Sequence, residues 1–397
     1  MTLKYGCNPH QKVAFVAAPA GASLPFKVVN GRPGYINLLD AVNAWALVVE
    51  LKQALNKPAA TSFKHVSPAG AAVAAPLSAV LAEAYEAQGK ELTPLATAYL
   101  RARNADPMSS FGDFVAVSDI VDEATAKILK PEVSDGIIAP GYEPAALAIL
   151  SAKKGGNFIV LQGDPESVRR GGLEYRELGG AVFAQERNTR VFSIEDMTGE
   201  GKEVTGQKLE GGPGPLPEGA VDDLVLASVA VKYTQSNSVG YAMGGQMVGI
   251  GAGQQSRVDC VKLAGRKVKT WFLRQHPKVL ALPFKKGTKR QDRVNARVRY
   301  IEGDFTPAEY EQWKAMFDSE PEPMTDAERK DFLKTLDGVT LASDAFFPFR
   351  DSIDIASELG VKFVAQPGGS RADGEVISTA EDYGMRMVFH GVRAFHH

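Results

Sequence analysis

Of the six histidines in this 397-residue chain, His65 directly follows a lysine, Lys64, in the stretch SFKHVSPAG. Side by side, these two residue types supply a proton acceptor that works near neutral pH and a cation able to sit on a developing negative charge. On an extended strand the two side chains would point to opposite faces; in a strained turn they could converge on one ligand. The residues that follow, Ser67, Pro68, Ala69 and Gly70, are turn formers, so a tight turn is expected there, with Gly70 letting a ligand approach the backbone. The plain alternative is a surface lysine beside a packed histidine.

Other stretches carry polar groups in unusual density. KYTQSNS places five consecutive hydrogen-bonding residues, Thr234 to Ser238, after an apolar run. It reads either as a self-capping polar turn or as a site where Asn237 orients a substrate amine or carboxamide. MVGIGAGQQSR, residues 247–257, is glycine-rich but has neither a Gly-Lys-Ser/Thr nor G-x-G-x-x-G spacing, so a glycine-rich strand and turn competes with a phosphate loop. Arg257 at its end offers a planar guanidinium suited to carboxamides and carboxylates. SSFGDF and DAFFPFRDS each set aromatics beside small residues and an aspartate. Phe346, Phe347 and Phe349, with Asp344, Arg350 and Asp351, suggest an aromatic wall for a flat heterocycle such as a purine precursor or a pterin. The stretch GVRAFHH reads as a native, buried tail with Arg393 and Phe395, not as a tag remnant.

The elements that must position these residues alternate. Residues 36–55 space apolar residues at helical intervals, as do PLSAVLAEAYEA and LTPLATAYLRARNAD. Between the helices lie short β-branched runs, GDFVAVS, DGIIAP and NFIVLQ, a pattern that favours α/β layers with partly parallel sheet. Residues 197–220 are rich in Gly and Pro and read as a linker. Beyond it a helix, VDDLVLASVAVKY, and strands VTLASDAFF, VKFVAQPG and MRMVFHG form a second unit. The expected domains are 1–196 and 221–397, with a solvated helical insertion around 304–337.

Composition narrows the class. A net charge of −2 gives no global attraction to nucleic acid. No apolar run is long enough to span a membrane, and the start lacks a signal-peptide core, so a cytoplasmic protein is expected. Cys7 and Cys260 are too few for a disulfide framework or a cysteine zinc site. The zinc deaminase motifs, the G-x-S-x-G elbow, the Walker A loop and the kinase motifs are all absent from the sequence.

Taken together, KYGCNPHQ, VNGRPGYINLLDA, SFKHVSPAGAA, SSFGDFVA, EVSDGIIAPGY, KYTQSNSVGYA, GIGAGQQSR, SDAFFPFRDS, QPGGS and FHH resemble, in order, the formyltransferase domain of the bifunctional purine-biosynthesis enzyme aminoimidazole-carboxamide ribonucleotide (AICAR) transformylase/IMP cyclohydrolase. The resemblance implies two tandem cytidine deaminase-like three-layer α/β units without zinc. It also implies a stand-alone transformylase that begins at this domain, with a separate IMP cyclohydrolase acting downstream, and a homodimer with interfacial sites. The implied reaction moves a formyl group from 10-formyltetrahydrofolate to the 5-amino group of AICAR.

By the same resemblance His65 matches the base and Lys64 the oxyanion stabiliser, with Asn237 at the amine. Arg257, Asn30 and the backbone at Phe346 would read the carboxamide. Gly112 and Asp135 would meet the ribose, and Tyr5, Lys4 and Arg393 the phosphate. Lys4 stands where the family usually has arginine, and Ser352 where it often has asparagine. Folate would lie near Met108, Val258, Asp351, Ser370 and Arg371. An optional potassium ion is implied near Asp344 and His396. Two other readings share these features: a nucleotide-binding relative without catalysis, which should have lost Lys64, His65 or Asn237, and a formyltransferase using another donor such as formate with ATP.

Overall fold

The computed structural model describes residues 1–19, 21–206 and 214–397. Its first unit is a six-stranded sheet of β1 (Phe26–Asn30), β2 (Ala59–Lys64), β3 (Ser67–Val73), β4 (Asp113–Val117), β5 (Ser134–Ala139) and β6 (Ile159–Gly163), in the order β1-β6-β5-β4-β2-β3. β4, β5 and β6 run parallel, while the β2–β3 hairpin is antiparallel to β4. Strands β4 and β5 are buried almost throughout, which is why they read as continuous apolar runs rather than alternating ones. A two-stranded ribbon, β7 (Leu173–Leu178) and β8 (Ala181–Glu186), projects from this unit.

The second unit repeats the plan. An antiparallel hairpin, β9 (Val239–Ala242) and β10 (Met247–Gly251), precedes parallel β11 (Val339–Ser343), β12 (Val361–Gln366) and β13 (Arg386–Phe389), in the order β10-β9-β11-β12-β13. In each unit a long helix directly precedes the hairpin: α1 (Tyr35–Leu55) in the first, and α3 (Glu218–Lys232) in the second, with α2 (Pro94–Ala105) between them in the chain. α1 and α3 pack together, and their residues Trp45, Val48, Leu51, Leu224 and Val229 share one core with both sheets. Helices on the opposite faces, including α2 and α4 (Arg257–Leu273), complete three layers in each unit. Among the described residues no helix is long and apolar enough to cross a membrane.

The hairpins of the two units meet edge to edge. The Val73 N–H donates to the Gly245 carbonyl at 2.9 Å, and Ala72 bridges Gln246. This junction carries several further links, including the buried Lys232–Glu50 pair and Arg101 donating to the Gly244 carbonyl.

Four expectations from sequence need revision. The turn lies at His65–Val66, between paired Lys64 and Ser67, and Ser67 to Gly70 belong to β3. A Cβ on Gly70 would meet the Ala102 carbonyl of α2 at 2.1 Å, so this glycine serves close packing. The helical insertion starts before residue 304: α5 (Arg290–Glu302) belongs to it, and Leu282, Tyr300, Trp313 and Phe317 give it an apolar core of its own. Within 197–220, residues 207–213 lie outside the described part. Val204 there donates to Met387 on β13, so this stretch is partly tied to the sheet edge.

The glycine-rich stretch 247–253 is a strand and turn. A Cβ on Gly249 or Gly251 would meet the carbonyls of Ala264 or Cys260, 2.4 Å away in each case. These glycines let α4 lie close against β10. Gly249→Ala should therefore lower stability by about 1–3 kcal/mol through overpacking; an unchanged urea midpoint would show that α4 can shift away freely.

Candidate active site

β2 ends at Lys64, whose Nζ donates to the Phe111 carbonyl. That contact joins the first hairpin to the loop carrying Met108 and Gly112, where Gly112 has a φ of +75°. His65 and Val66 form the two-residue turn, with φ of +54° and +60°. A non-glycine residue in the left-handed region costs about 1–2 kcal/mol, and a β-branched one is a particular outlier. His65 is exposed, and among the described residues no hydrogen bond reaches its ring. The turn is held from below: Asp40 on α1, itself buried, accepts the Val66 N–H at 2.7 Å. Burial raises the Asp40 pKa above the usual carboxylate value, against the Val66 N–H and the neighbouring His65.

The second unit faces this turn with the polar stretch singled out in the sequence. The Gln235 N–H donates to Ser67 Oγ at 3.3 Å, so the 234–238 loop lies directly beside the hairpin. Asn237 is gripped at both ends of its amide: Nδ2 donates to the Gln255 carbonyl at 3.3 Å and Oδ1 accepts from Arg257 Nη2 at 3.0 Å. Its carbonyl accepts from the Cys260 thiol at 2.9 Å, and burial pushes that thiol up to about 11, so the sulfur stays protonated. Arg257 also donates to the Ser238 carbonyl at 2.8 Å and pairs with buried Asp344.

Asp344 organises the rest. Its Oδ2 accepts Ser236 Oγ–H at 2.6 Å and the Ser238 N–H at 3.1 Å, and its carbonyl accepts the Ala394 N–H at 2.8 Å. Ser236 in turn exchanges two hydrogen bonds with the His396 backbone, at 2.9 and 3.0 Å. The tail is therefore docked, but Ala394 is its buried anchor and Phe395 is 41% exposed, stacked by Arg393 at 4.9 Å. Burial lowers the His396 pKa and favours neutral imidazole.

The potassium ion implied near Asp344 and His396 would share the Asp344 carboxylate with its protein partners. Both carboxylate oxygens already accept hydrogen bonds, and Arg257 neutralises the charge. The described residues contain no group of three or more His, Cys, Asp or Glu that could hold a metal. No chemistry here is routed through a cation at this place.

The remaining sequence candidates fall into two sets. Asp344, Phe346, Asp351, Ser370, Arg371, Arg393 and His396 all lie just past the C-terminal ends of parallel β11, β12 and β13, the usual binding edge of such sheets. Asp351 opens α6 (Asp351–Ser357), Ser370 Oγ accepts the Ala372 N–H, and Arg371 is exposed. Val258 follows Arg257 on α4. Gly112 and Asp135 instead lie at the N-terminal ends of β4 and β5, the edge where antiparallel β2 delivers Lys64.

Three features differ from the expected site. Asn30 spends its amide on the carbonyls of Gly156 and Phe158, at 3.1 and 2.8 Å. It is Asn37, missed in the sequence reading, that reaches the site side: its Nδ2 approaches Asp135 Oδ2 at 3.4 Å, while Lys154 holds Oδ1 at 2.7 Å. Among the described residues no hydrogen bond or ion pair ties Lys4 or Tyr5 to this cluster; the Lys4 ammonium lies 5.9 Å from the Tyr5 ring. Of the three phenylalanines expected as a wall, Phe347 is buried core, while Phe346 and Phe349 remain exposed beside the site loops.

The model of the AICARFT/IMPCHase bienzyme family matches residues 1–267. The chain belongs to this family. Its role lies in purine biosynthesis, and the matched span takes in Lys64, His65, Asp135, Asn237 and Arg257. The AICARFT/IMPCHase match ends within α4, so the Asp344 loop and the docked tail lie outside the matched span.

Deleting residues 393–397 removes the Ala394 and His396 contacts that brace Asp344 and Ser236. The truncated chain is expected to fold, judged by its thermal melt, but to lose nucleotide binding. Full AICAR affinity in a folded truncation would exclude the tail from the site.

Proposed function

We propose that the chain transfers the formyl group of 10-formyltetrahydrofolate to the 5-amino group of AICAR, giving formyl-AICAR. The observation that carries this reading is the meeting of the Lys64–His65 turn with the Gln235–Asn237 loop across the junction between units, through the bond of Gln235 to Ser67. The family placement supports it, since transformylation is one of the reactions in the family's name.

The amine of AICAR is a poor nucleophile because its lone pair is delocalised into the imidazole and the neighbouring carboxamide. His65, exposed at the turn, takes the amine proton as nitrogen attacks the formyl carbon. The resulting oxyanion needs a nearby cation. Lys64, now bonded to a backbone carbonyl, supplies one, and a donor of this kind typically contributes about 3–4 kcal/mol. Collapse of the tetrahedral intermediate breaks the bond to folate N10, which receives a proton, so one proton moves in net terms from amine to leaving nitrogen. Asn237 keeps one N–H and one lone pair unused by its protein partners, a donor and an acceptor for the amine–carboxamide edge of AICAR. Asp135 is placed for the ribose and Arg393 for the phosphate. The family resemblance assigns Met108, Val258, Asp351, Ser370 and Arg371 to the folate.

Purified protein given AICAR and 10-formyltetrahydrofolate is expected to accumulate formyl-AICAR, read by mass. IMP above the spontaneous background would assign ring closure to this chain instead. Binding of AICAR without turnover would indicate a non-catalytic relative, and turnover only with formate and ATP another donor. His65→Ala should lower turnover by about 10²–10⁴-fold with AICAR still bound; retention of more than about a tenth of the rate would remove His65 from the base role.

The active form is proposed to be a homodimer. Every residue of β7 and β8 is exposed, including Leu173, Tyr175, Leu178, Val182 and Phe183. Leu173, Tyr175 and Val182 share one face of the ribbon and Leu178 and Phe183 the other; a lone two-stranded ribbon is marginal in water, and apolar side chains exposed on both its faces mark a surface to be covered. Glu174 and Arg176 on the ribbon lie close enough to influence His396 of the docked tail, which puts the covered surface next to the site. Sedimentation should give a dimer, and replacing residues 173–186 by a short polar turn should give an inactive monomer. A monomeric, fully active wild type would exclude the arrangement.

A further inference from the structure

We propose that Asp40 is a positioning residue for His65: its carboxylate clamps the strained His65–Val66 turn in the conformation it holds here, and so fixes the backbone from which the imidazole and Lys64 project. A two-residue hairpin turn with positive φ at both positions is ordinarily built from Asn-Gly or Gly-Gly. Here the two residues are His and Val. Left alone, such a turn would relax toward a conformation with negative φ, rotating both Lys64 and His65. With no hydrogen bond reaching the His65 ring among the described residues, the backbone sets the direction of its Cα–Cβ bond, and Asp40 holds that backbone through the Val66 N–H at 2.7 Å.

The repeated architecture supplies an internal comparison. Asp40 is the sixth residue of α1, and Asp223 is the sixth residue of α3. Asp223 accepts the N–H groups of Gly244 and Gly245, each at 2.7 Å. These two glycines, with φ of +60° and +81°, form the turn of the β9–β10 hairpin between Met243 and Gln246. The same acid at the same helical position therefore closes the same turn in both units. In the second unit the turn is Gly-Gly, which adopts the conformation freely. In the first it is His-Val, which does not. The clamp is common to the plan, and the turn residues that need it are those at the candidate site.

The kinetic part of this inference rests on the formyl-transfer reading, so the experiment pairs kinetics with a measurement that does not need turnover. The variants are Asp40→Ala, Asp40→Asn, the double variant Asp40→Ala with Val66→Gly, and Asp223→Asn as the comparison. Asp40→Ala is expected to lower kcat by about 100-fold, the scale of a small misplacement of a reacting group, while the AICAR KM changes by less than about threefold. Asp40→Asn keeps an oxygen that accepts the Val66 N–H and should retain most of the rate. Val66→Gly in the Asp40→Ala background should recover part of kcat, because glycine takes the positive φ unaided. Asp223→Asn should leave kcat unchanged. Independently, hydrogen exchange at the Val66 amide should be fast in Asp40→Ala and slow in wild type. Wild-type exchange in Asp40→Ala would overturn the clamp whether or not the protein turns over. A loss of kcat that follows the loss in melting temperature across all variants, without recovery by Val66→Gly, would reduce Asp40 to a fold residue. If wild type shows no formyl transfer while the exchange result holds, the clamp stands and the reaction assignment falls.

Discussion

The second-unit half of the site depends on one buried ion pair, Arg257 with Asp344. Their side chains are 5% and 0% exposed, so neither charge can lean on water. Removing one partner of such a pair typically costs about 3–5 kcal/mol, because the other is left buried and uncompensated. What makes the pair useful is the distribution of its remaining hydrogen bonds. The guanidinium reaches Asn237 and the Ser238 carbonyl, and the carboxylate reaches Ser236 and the Ser238 N–H. Three consecutive residues of one loop are thereby fixed from both sides, and the tail is fixed to that loop through Ser236. A planar fork is required for this; lysine at 257 would offer one point of charge and lose the bond to Asn237.

A site divided between two units works only if the units cannot slide. The junction is correspondingly polar and directional. Glu50 joins Lys232 and Tyr233, Arg101 caps carbonyls from Ala75, Pro76 and Gly244, and Tyr85 bonds Gln246 and Trp271. Beside it, Glu86 takes Arg290, Arg293 and Arg297 from the helical insertion. Burial alone would raise Glu86, but the arginines outweigh it and hold the carboxyl down to about 2. The insertion thus braces the first unit from across the chain, a role that its charged composition does not reveal, since charge runs ordinarily read as solvated surface.

The elements were legible where local pattern and tertiary demand agree. α1 and the strands β4, β5, β6, β11, β12 and β13 follow from helical spacing and from the continuous apolar runs of strands covered on both faces. The turn was misplaced because Pro68 and Gly70 carry strong turn propensity, while His65 and Val66 carry none; a helix acid elsewhere in the chain overrides both preferences. Pro68 is tolerated in β3 because that strand has only β2 as a full ladder partner. Asp40 did leave a trace: it is the one carboxylate inside the apolar stretch INLLDAVNAWALVV, and a lone acid on a buried face must find donors. Asn30 and Asn37 sit on either side of a Gly-Arg-Pro-Gly corner, and only the fold decides which amide is spent on backbone carbonyls. The site residues came from a resemblance in ten short stretches; composition and periodicity alone reached no further than Lys64, His65, Asn237, Arg257 and the aromatic loop as alternatives to bland packing.

The duplicated plan also explains where the chemistry sits. Two hairpins of the same design end in turns with quite different surroundings. The Gly244–Gly245 turn lies at the junction, where a Cβ on Gly245 would press on Val73 and Ala75 at 3.3 and 3.2 Å. A side chain at 245 would be crowded as well as strained by its φ, whereas Gly244 has open space around it and is held to glycine by φ alone. The His65–Val66 turn has no such neighbour: His65 is exposed and Val66 half-buried. It has room for side chains at both positions, at a conformational cost of about 1–2 kcal/mol for each non-glycine residue. Strain of that size persists only when surrounding contacts over-determine it. The helix acid, the β2–β3 pairing on either flank and the Lys64 contact to Phe111 together do so. A turn that packing leaves free, held by a clamp the fold already contains, is where this architecture can place a histidine next to a lysine and hold the backbone that carries both.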